Sequence, residues 1–229
     1  MGARVVIETI IIPVLGRHDL LERCLSSLSG RVDNLIIVDN GDDLDALRVR
    51  AWTPENVQSV HVWNMPCALS VASSWNLGVK ATPFSTGWLL LNSDAWFGEG
   101  AFDAYASGVG RDIILTGGSP AWCCVWIGRE VVRRVGLFCE RFHPAYMEDI
   151  DYETRARRLG VEVIQSPAIV HHENSSTISS NEHYRSRNNQ THRQNIDYFN
   201  ERWRGVDVDA VPPHADWDLD TRIMQGWES

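Results

Sequence analysis

The chain has 229 residues, 44% hydrophobic and 22% charged, with a formal net charge of −9. A chain of that length buries roughly 70% of the surface its unfolded form exposes, so it needs no disulfide or metal to fold, and the mix excludes disorder, collagen and coiled coil as overall descriptions. The negative charge disfavours sequence-independent binding to duplex nucleic acid, which depends on neutralising phosphates.

The first half alternates apolar runs with amphipathic stretches. Ile10 to Val14 is β-branched and predicts a buried strand. Asp19 is a candidate cap for a helix whose apolar face is Leu21, Cys24, Leu25 and Leu28, stopped by Gly30. Leu35 to Val38 predicts a second strand, ended by Asp39-Asn40-Gly41, and Val60 to Trp63 a third. Ser70 is placed to cap a helix running to about Ala81. Trp88 to Leu91 predicts a fourth strand, ended by Asn92-Ser93-Asp94. Strands apolar on both faces and separated by helices indicate an α/β fold, a mostly parallel central sheet flanked by helices.

The second half opens with a short strand and an aromatic, cysteine-bearing segment within residues 111 to 128. A helix is expected over Arg129 to Val135, stopped at Gly136, and another from the Met147-Glu148-Asp149 stretch to Leu159-Gly160. Val161 to Ile164 reads as a strand. His171 and His172 follow a short apolar run, and Tyr198, Phe199 and Trp203 mark a terminal amphipathic helix. Residues 206 to 229 read as an acidic tail wrapped on the domain. Five cysteines without a C-x-x-C spacing fit free thiols in the cytoplasm. The first thirty residues show no signal peptide, and no apolar run is long enough to span a membrane, which leaves only peripheral membrane contact open.

Common nucleotide motifs are missing. There is no G-x-G-x-x-G after the first strand, and Lys80, the only lysine, lies in no P-loop. What remains is three carboxylate clusters and a histidine pair. Asp39, with Asp42 and Asp43, stands at a strand end, where open parallel sheets bind ligands, and is also good turn chemistry. Asp94 at the next strand end can hold a hard divalent cation or simply start a loop. Glu148, Asp149 and Asp151 either cap a helix or present a general base into a cleft. Asp151–Arg155 and Glu153–Arg157 have the i,i+4 spacing of surface pairs. A neutral imidazole of the histidine pair can complete a metal site begun by Asp94. His171, taken as the strand's end, is the expected ligand. Trp122, Trp126, Trp203 and Trp217 offer stacking platforms or plain packing.

In order and spacing these pieces resemble the family 2 inverting glycosyltransferases of GT-A fold, of rhamnosyltransferase or galactofuranosyltransferase type. The resemblance runs over residues 5 to 205 and rests on several segments: Ile12-Pro13-Val14-Leu15-Gly16-Arg17; Ile37-Val38-Asp39-Asn40-Gly41; Asn64; Asn76-Leu77-Gly78; Leu91-Asn92-Ser93-Asp94; Gly136-Leu137-Phe138; Glu148-Asp149-Ile150-Asp151; and Val170-His171-His172 with Ser176-Thr177 beyond. Leu15-Gly16 stands where the family often has Tyr-Asn, and Asn92 replaces the first Asp of its D-x-D.

The resemblance implies one domain over 1–205, with a nucleotide-sugar half (about 1–98) and an acceptor half (99–205). It implies a nucleotide-diphosphate sugar donor, Mn2+ or Mg2+ on Asp94 and His171, and Asp149 as the base that deprotonates an acceptor hydroxyl. Pro13, Arg17, Asp39, Asn76, Asn92, Ser93, Trp122 and Glu148 are the implied substrate contacts. The acceptor stays open among glycan, protein and nucleic-acid base. A metal-dependent nucleotidyltransferase and a non-catalytic nucleotide-sugar-binding module are the alternatives.

Overall fold

A computed structural model describes residues 6–41, 43–173 and 182–204. Ser176, Thr177, Asp42, Trp217 and the whole 206–229 segment lie outside the described residues.

One seven-stranded sheet organises the chain. Its strands are β1 (Val6–Val14), β2 (Arg31–Asp39), β3 (Val57–Asn64), β4 (Gly87–Leu91), β6 (Ile113–Gly117), β7 (Cys124–Gly128) and β8 (Glu162–Gln165), in the order β3-β2-β1-β4-β7-β6-β8. All neighbours are parallel except β7, which runs against β4 and β6. A separate antiparallel pair is made by β5 (Ala95–Phe97) and β9 (Val170–His172).

Alternation along β1 divides the core into two layers. Ile10 and Ile12 face α1 (His18–Ser26), α2 (Ala46–Trp52) and α4 (Ala101–Ala106), packing with Leu21, Cys24, Val49 and Phe102. Ile11 faces α3 (Val71–Ala81), α5 (Arg129–Val135) and α6 (Glu148–Arg158), with Trp75, Val79, Val132 and Tyr152 in the same layer. The close approach of α3 to β1 depends on Gly78, where a Cβ would stand 2.6 Å from Ile11. The last described helix, α7 (Glu182–Arg202), reaches α6 through Arg202 and the loop before it through Asn195.

Two expected helix starts have different fates. Ser70 caps α3, its hydroxyl accepting from the Ser73 amide at 3.0 Å. Asp19 does not cap α1. The helix begins after Arg17, which is left-handed (φ 49°), and both Asp19 oxygens are held by the Arg17 guanidinium at 2.9 Å. The short elements α2, α4 and β5 carry too few periodic residues to be read from sequence, and β9 runs one residue beyond the expected end at His171. Among the described residues no helix is long and apolar enough to cross a membrane.

The largest departure concerns Asp151. Instead of a surface pair, Asp151 and Arg155 are 0% and 1% exposed at 2.9 Å. Asp151 also accepts from Arg202 at 3.0 Å and from the Trp203 indole at 3.1 Å, while Arg155 donates to the Val135 carbonyl at 3.0 Å. One carboxylate therefore joins α6 to α5 and to the end of α7. Asp151→Asn removes the buried negative charge that Arg155 and Arg202 share, a change that costs about 3–5 kcal/mol. Glu130→Gln, which weakens the exposed pairs of Glu130 with Arg111 and Arg133, costs under about 1 kcal/mol. Urea denaturation of the two variants checks the contrast, and a loss below about 1 kcal/mol for Asp151→Asn contradicts it.

Candidate active site

The order β3-β2-β1-β4 means that chain connections leave β1 in opposite directions, so a crevice opens beyond the carboxyl ends of β1 and β4. Pro13 marks where the two strands part. β4 pairs with β1 only at Ile10 and Ile11, and Pro13, half-buried, keeps only its β2 neighbour Val38. A residue without an N–H suits a place where the ladder has ended on one side.

Around this crevice the β4 turn brings Asn92, Ser93 and Asp94 together with β9. Asp94 Oδ1 lies 2.9 Å from His172 Nε2, and Asn92 Nδ2 lies 3.4 Å from the same nitrogen. The pair is largely enclosed, with His172 5% and Asp94 14% exposed. His171 is turned the other way and stacks on Trp96 at 5.3 Å, with the Arg23 guanidinium 3.5 Å from the Trp96 ring. The structure thus brings His172, not His171, to Asp94. The strand register is the cause: His172 pairs with buried Ala95 and shares its face with buried Val170, whereas His171 pairs with Trp96.

A carboxylate oxygen and an imidazole nitrogen are a fitting donor set for Mn2+ or Mg2+. Adjacent ligands of an octahedral ion with bonds of about 2.1 Å stand about 3 Å apart, close to the separation seen here. Among the described residues no group of three or more His, Cys, Asp or Glu side chains forms a complete metal cluster. Cys24 and Cys123 are buried nearby, but burial first and the Asp94 charge second push both thiols up, Cys123 to about 12.

The other candidates divide sharply. Asp39 is fully buried, and its carboxylate is taken up by its own loop: it accepts from the amides of Gly41, Asp43 and Leu44, each at 2.9 Å, and from Asn64 at 3.3 Å. The turn chemistry prevails, and Asp39 shapes the 40–44 loop rather than presenting a free oxygen. Asn76 is likewise enclosed, clamping the backbone of Phe138 in both directions and donating to Glu140. Trp122 is a core residue, edge-on to Phe138 and Tyr152 with its indole on Glu153 at 2.6 Å, so it offers no platform for a sugar ring. Arg17 lies at the crevice, bonded to Asp19 and 3.7 Å from Glu173. Ser93 is half-buried in the Asp94 turn.

Glu148 and Asp149 open α6. The two residues before Asp149's turn are strained: Tyr146 (φ 77°) and Met147 (φ 76°) are both left-handed, at about 1–3 kcal/mol each for non-glycine residues. Asp149 is half-buried. Burial raises its pKa, the Ile150 amide at 2.8 Å pulls against the rise, and the charge of Glu153 one turn along adds to it. Two hydrogen bonds tie this helix to the Asp94 turn, from Trp122 to Glu153 and from the Asn92 amide to the Cys123 carbonyl at 2.9 Å.

Glu148 is 5% exposed, and its Oε2 has no hydrogen-bond partner. Burial first, and the neighbouring Asp149 second, push its carboxyl from 4.5 to about 8. Above pH 4.5 the unfolded chain releases this proton while the folded chain keeps it. Stability therefore falls as pH rises between about 4.5 and 8, by up to several kcal/mol. Glu148→Gln removes that loss, so its advantage over the parent grows from pH 5 to pH 8. Urea denaturation at both pH values measures it, and parallel pH dependence in the two proteins contradicts the buried-acid assignment.

No known family profile matches the chain, and no curated protein matches it by sequence. Its structure is similar to GalNAc-T7 with UDP, GalNAc and Mn2+ (TM-score 0.61, 11% identity, 75% of this chain and 44% of that one). It is also similar to S. aureus TarS 1-349 in complex with UDP (0.55, 12%, 72% and 60%) and to the catalytic domain of Drosophila β1,4-galactosyltransferase 7 with xylobiose (0.52, 12%, 72% and 66%). The chain thus spans between 44% and 66% of the length of these proteins. At such low identity the likeness establishes architecture alone, and that architecture is the GT-A fold.

Proposed function

We propose that the protein is an inverting glycosyltransferase of the family 2 type, which moves a sugar from a nucleotide-diphosphate donor to an acceptor hydroxyl. The observation that carries this reading is the Asp94–His172 pair at the switch point of a GT-A sheet, tied through Trp122 and Glu153 to the helix that carries Asp149 in its first turn. Asp94 and His172 would hold a divalent cation, with the donor's phosphates completing its ligands. Bound there, Mn2+ or Mg2+ supplies charge stabilisation for the departing diphosphate.

The remaining steps belong to the chain. Pro13, Arg17 and Ser93 line the donor side of the crevice, and the loop shaped by Asp39 carries Asn40 and Asp43 toward the nucleoside. Asp149 takes the proton of the acceptor hydroxyl as that oxygen attacks the anomeric carbon. Its partial burial favours this role, because a base works best with a pKa raised toward the working pH. Five free thiols, four of them buried, fit work in the cytoplasm.

Metal dependence has a direct test in UDP binding by calorimetry. Binding should need Mn2+ and weaken at least about tenfold in Asp94→Ala and in His172→Ala, as for lost metal-site residues generally. His171→Ala should bind like the parent. Undiminished UDP affinity in excess chelator would end this part of the reading.

Asp149 is tested by Asp149→Asn. Asp149 lies inside the first turn of α6, after the cap residue Met147, and an Asn there can still accept from the Ile150 amide, so stability should change by no more than about 1 kcal/mol and UDP binding should hold. Transfer should fall about 10²–10⁴-fold, the usual loss of a general base. A fully active Asp149→Asn protein would place the base elsewhere.

A further inference from the structure

The strained pair before α6 is held by a residue that no motif marks. Asn195, on α7 and 5% exposed, donates both hydrogens of its amide to the loop, to the Ala145 carbonyl at 2.9 Å and the Tyr146 carbonyl at 3.1 Å. These two carbonyls belong to the 145–146 and 146–147 peptide planes. Rotation of the first plane changes φ of Tyr146, and rotation of the second changes φ of Met147. Those are the two left-handed angles of the loop. A peptide that flips toward the relaxed conformation swings its carbonyl away, so it must first break its bond to Asn195.

The neighbouring contacts fix the same segment from other sides. The Val71 amide at the start of α3 donates to the Pro144 carbonyl at 2.9 Å, and the His192 ring lies 5.0 Å from Tyr146. Tyr198 packs on Phe142 at 5.0 Å. Asn195 donates to both of the planes that set the strain.

We propose that Asn195 is a positioning residue, which locks the 145–146 and 146–147 peptide planes and so aims Asp149 at the acceptor oxygen. The proposal rests on the glycosyl-transfer reading. Displacement of a reacting group by about 1 Å lowers a rate by about 10²-fold, and Asn195 controls the backbone three residues before Asp149.

The test compares the parent, Asn195→Ala, Met147→Gly and the double variant. Turnover is the release of UDP from whichever of UDP-glucose, UDP-galactose, UDP-GlcNAc and UDP-GalNAc the parent hydrolyses fastest with Mn2+. Asn195→Ala should lower kcat about 10- to 100-fold, with donor KM and UDP affinity within about twofold of the parent. Glycine adopts the left-handed region without penalty, so Met147→Gly should restore most of the lost kcat in the Asn195→Ala background. A purely structural role predicts no such rescue.

A second arm needs no donor. The Asp151 amide donates to the Met147 carbonyl at 2.9 Å, so its hydrogen exchange reports on the loop. Exchange at Asp151 should accelerate at least about tenfold in Asn195→Ala and return toward the parent value in the double variant. Full turnover in Asn195→Ala, a kcat loss that Met147→Gly leaves untouched, or unchanged exchange at Asp151 would each overturn the proposal. If the parent releases UDP from none of the four donors, the functional reading fails instead, and the exchange arm still decides whether Asn195 sets the loop.

Discussion

The buried carboxylate of Asp151 is the constraint on which the packing of α5, α6 and α7 depends. It lies among Arg155, Arg202 and Trp203 and, through Arg155, reaches the Val135 carbonyl at the end of α5. Two cations around one anion in a dry setting attract strongly, and each would be costly to leave alone. Three helices are therefore held in one arrangement by one turn of α6. The proposed base stands two residues before that turn, so whatever fixes Asp151 also fixes where α6 begins.

The donor side rests on a different device, the parting of β1 and β4. Parallel neighbours stay paired until the ladder ends, and Pro13 marks that end by lacking a donor. The opening so formed receives the Asn92–Asp94 turn from β4 and His172 from β9. Strands far apart in sequence thus supply both members of the Asp94–His172 pair, and the short antiparallel β5–β9 register sets which histidine enters it. The strain at Tyr146 and Met147 sits on the opposite side, where α7 holds it. Asp94, His172 and Asp149 thus stand at turns and element ends that packed helices and strands hold in place.

Much of the sheet was legible because buried parallel strands are apolar on both faces. Ile10 to Val14, Leu35 to Val38 and Trp88 to Leu91 all fall within strands, and Ser70 caps its helix as its chemistry suggests. The candidate site was legible only in part. Asp39 occupies a ligand-binding place in the chain, yet four donors of its own neighbourhood claim it, a closure that depends on how the 40–44 loop folds back. Trp122 looked like a ring platform because composition cannot tell a core indole from an exposed one. His172 was within reach of sequence reasoning, since it shares the parity of the apolar Val170. The strand had been taken to end at His171 rather than to include both histidines.

The sequence by itself determined the layered α/β plan, the positions of the strand-end carboxylates and the acidic start of α6, because these follow from local periodicity and residue chemistry. Only the tertiary structure decided that Asp151 is a buried hub and not half of a surface pair. An i,i+4 spacing is the same on a wet face as on a dry one, and α7 is what makes this face dry. Only the tertiary structure showed Asn195, 48 residues beyond Met147, under the two peptide planes that precede α6. A polar residue in a helix has no sequence signal for the carbonyls it meets, because those carbonyls are set by the path of another segment.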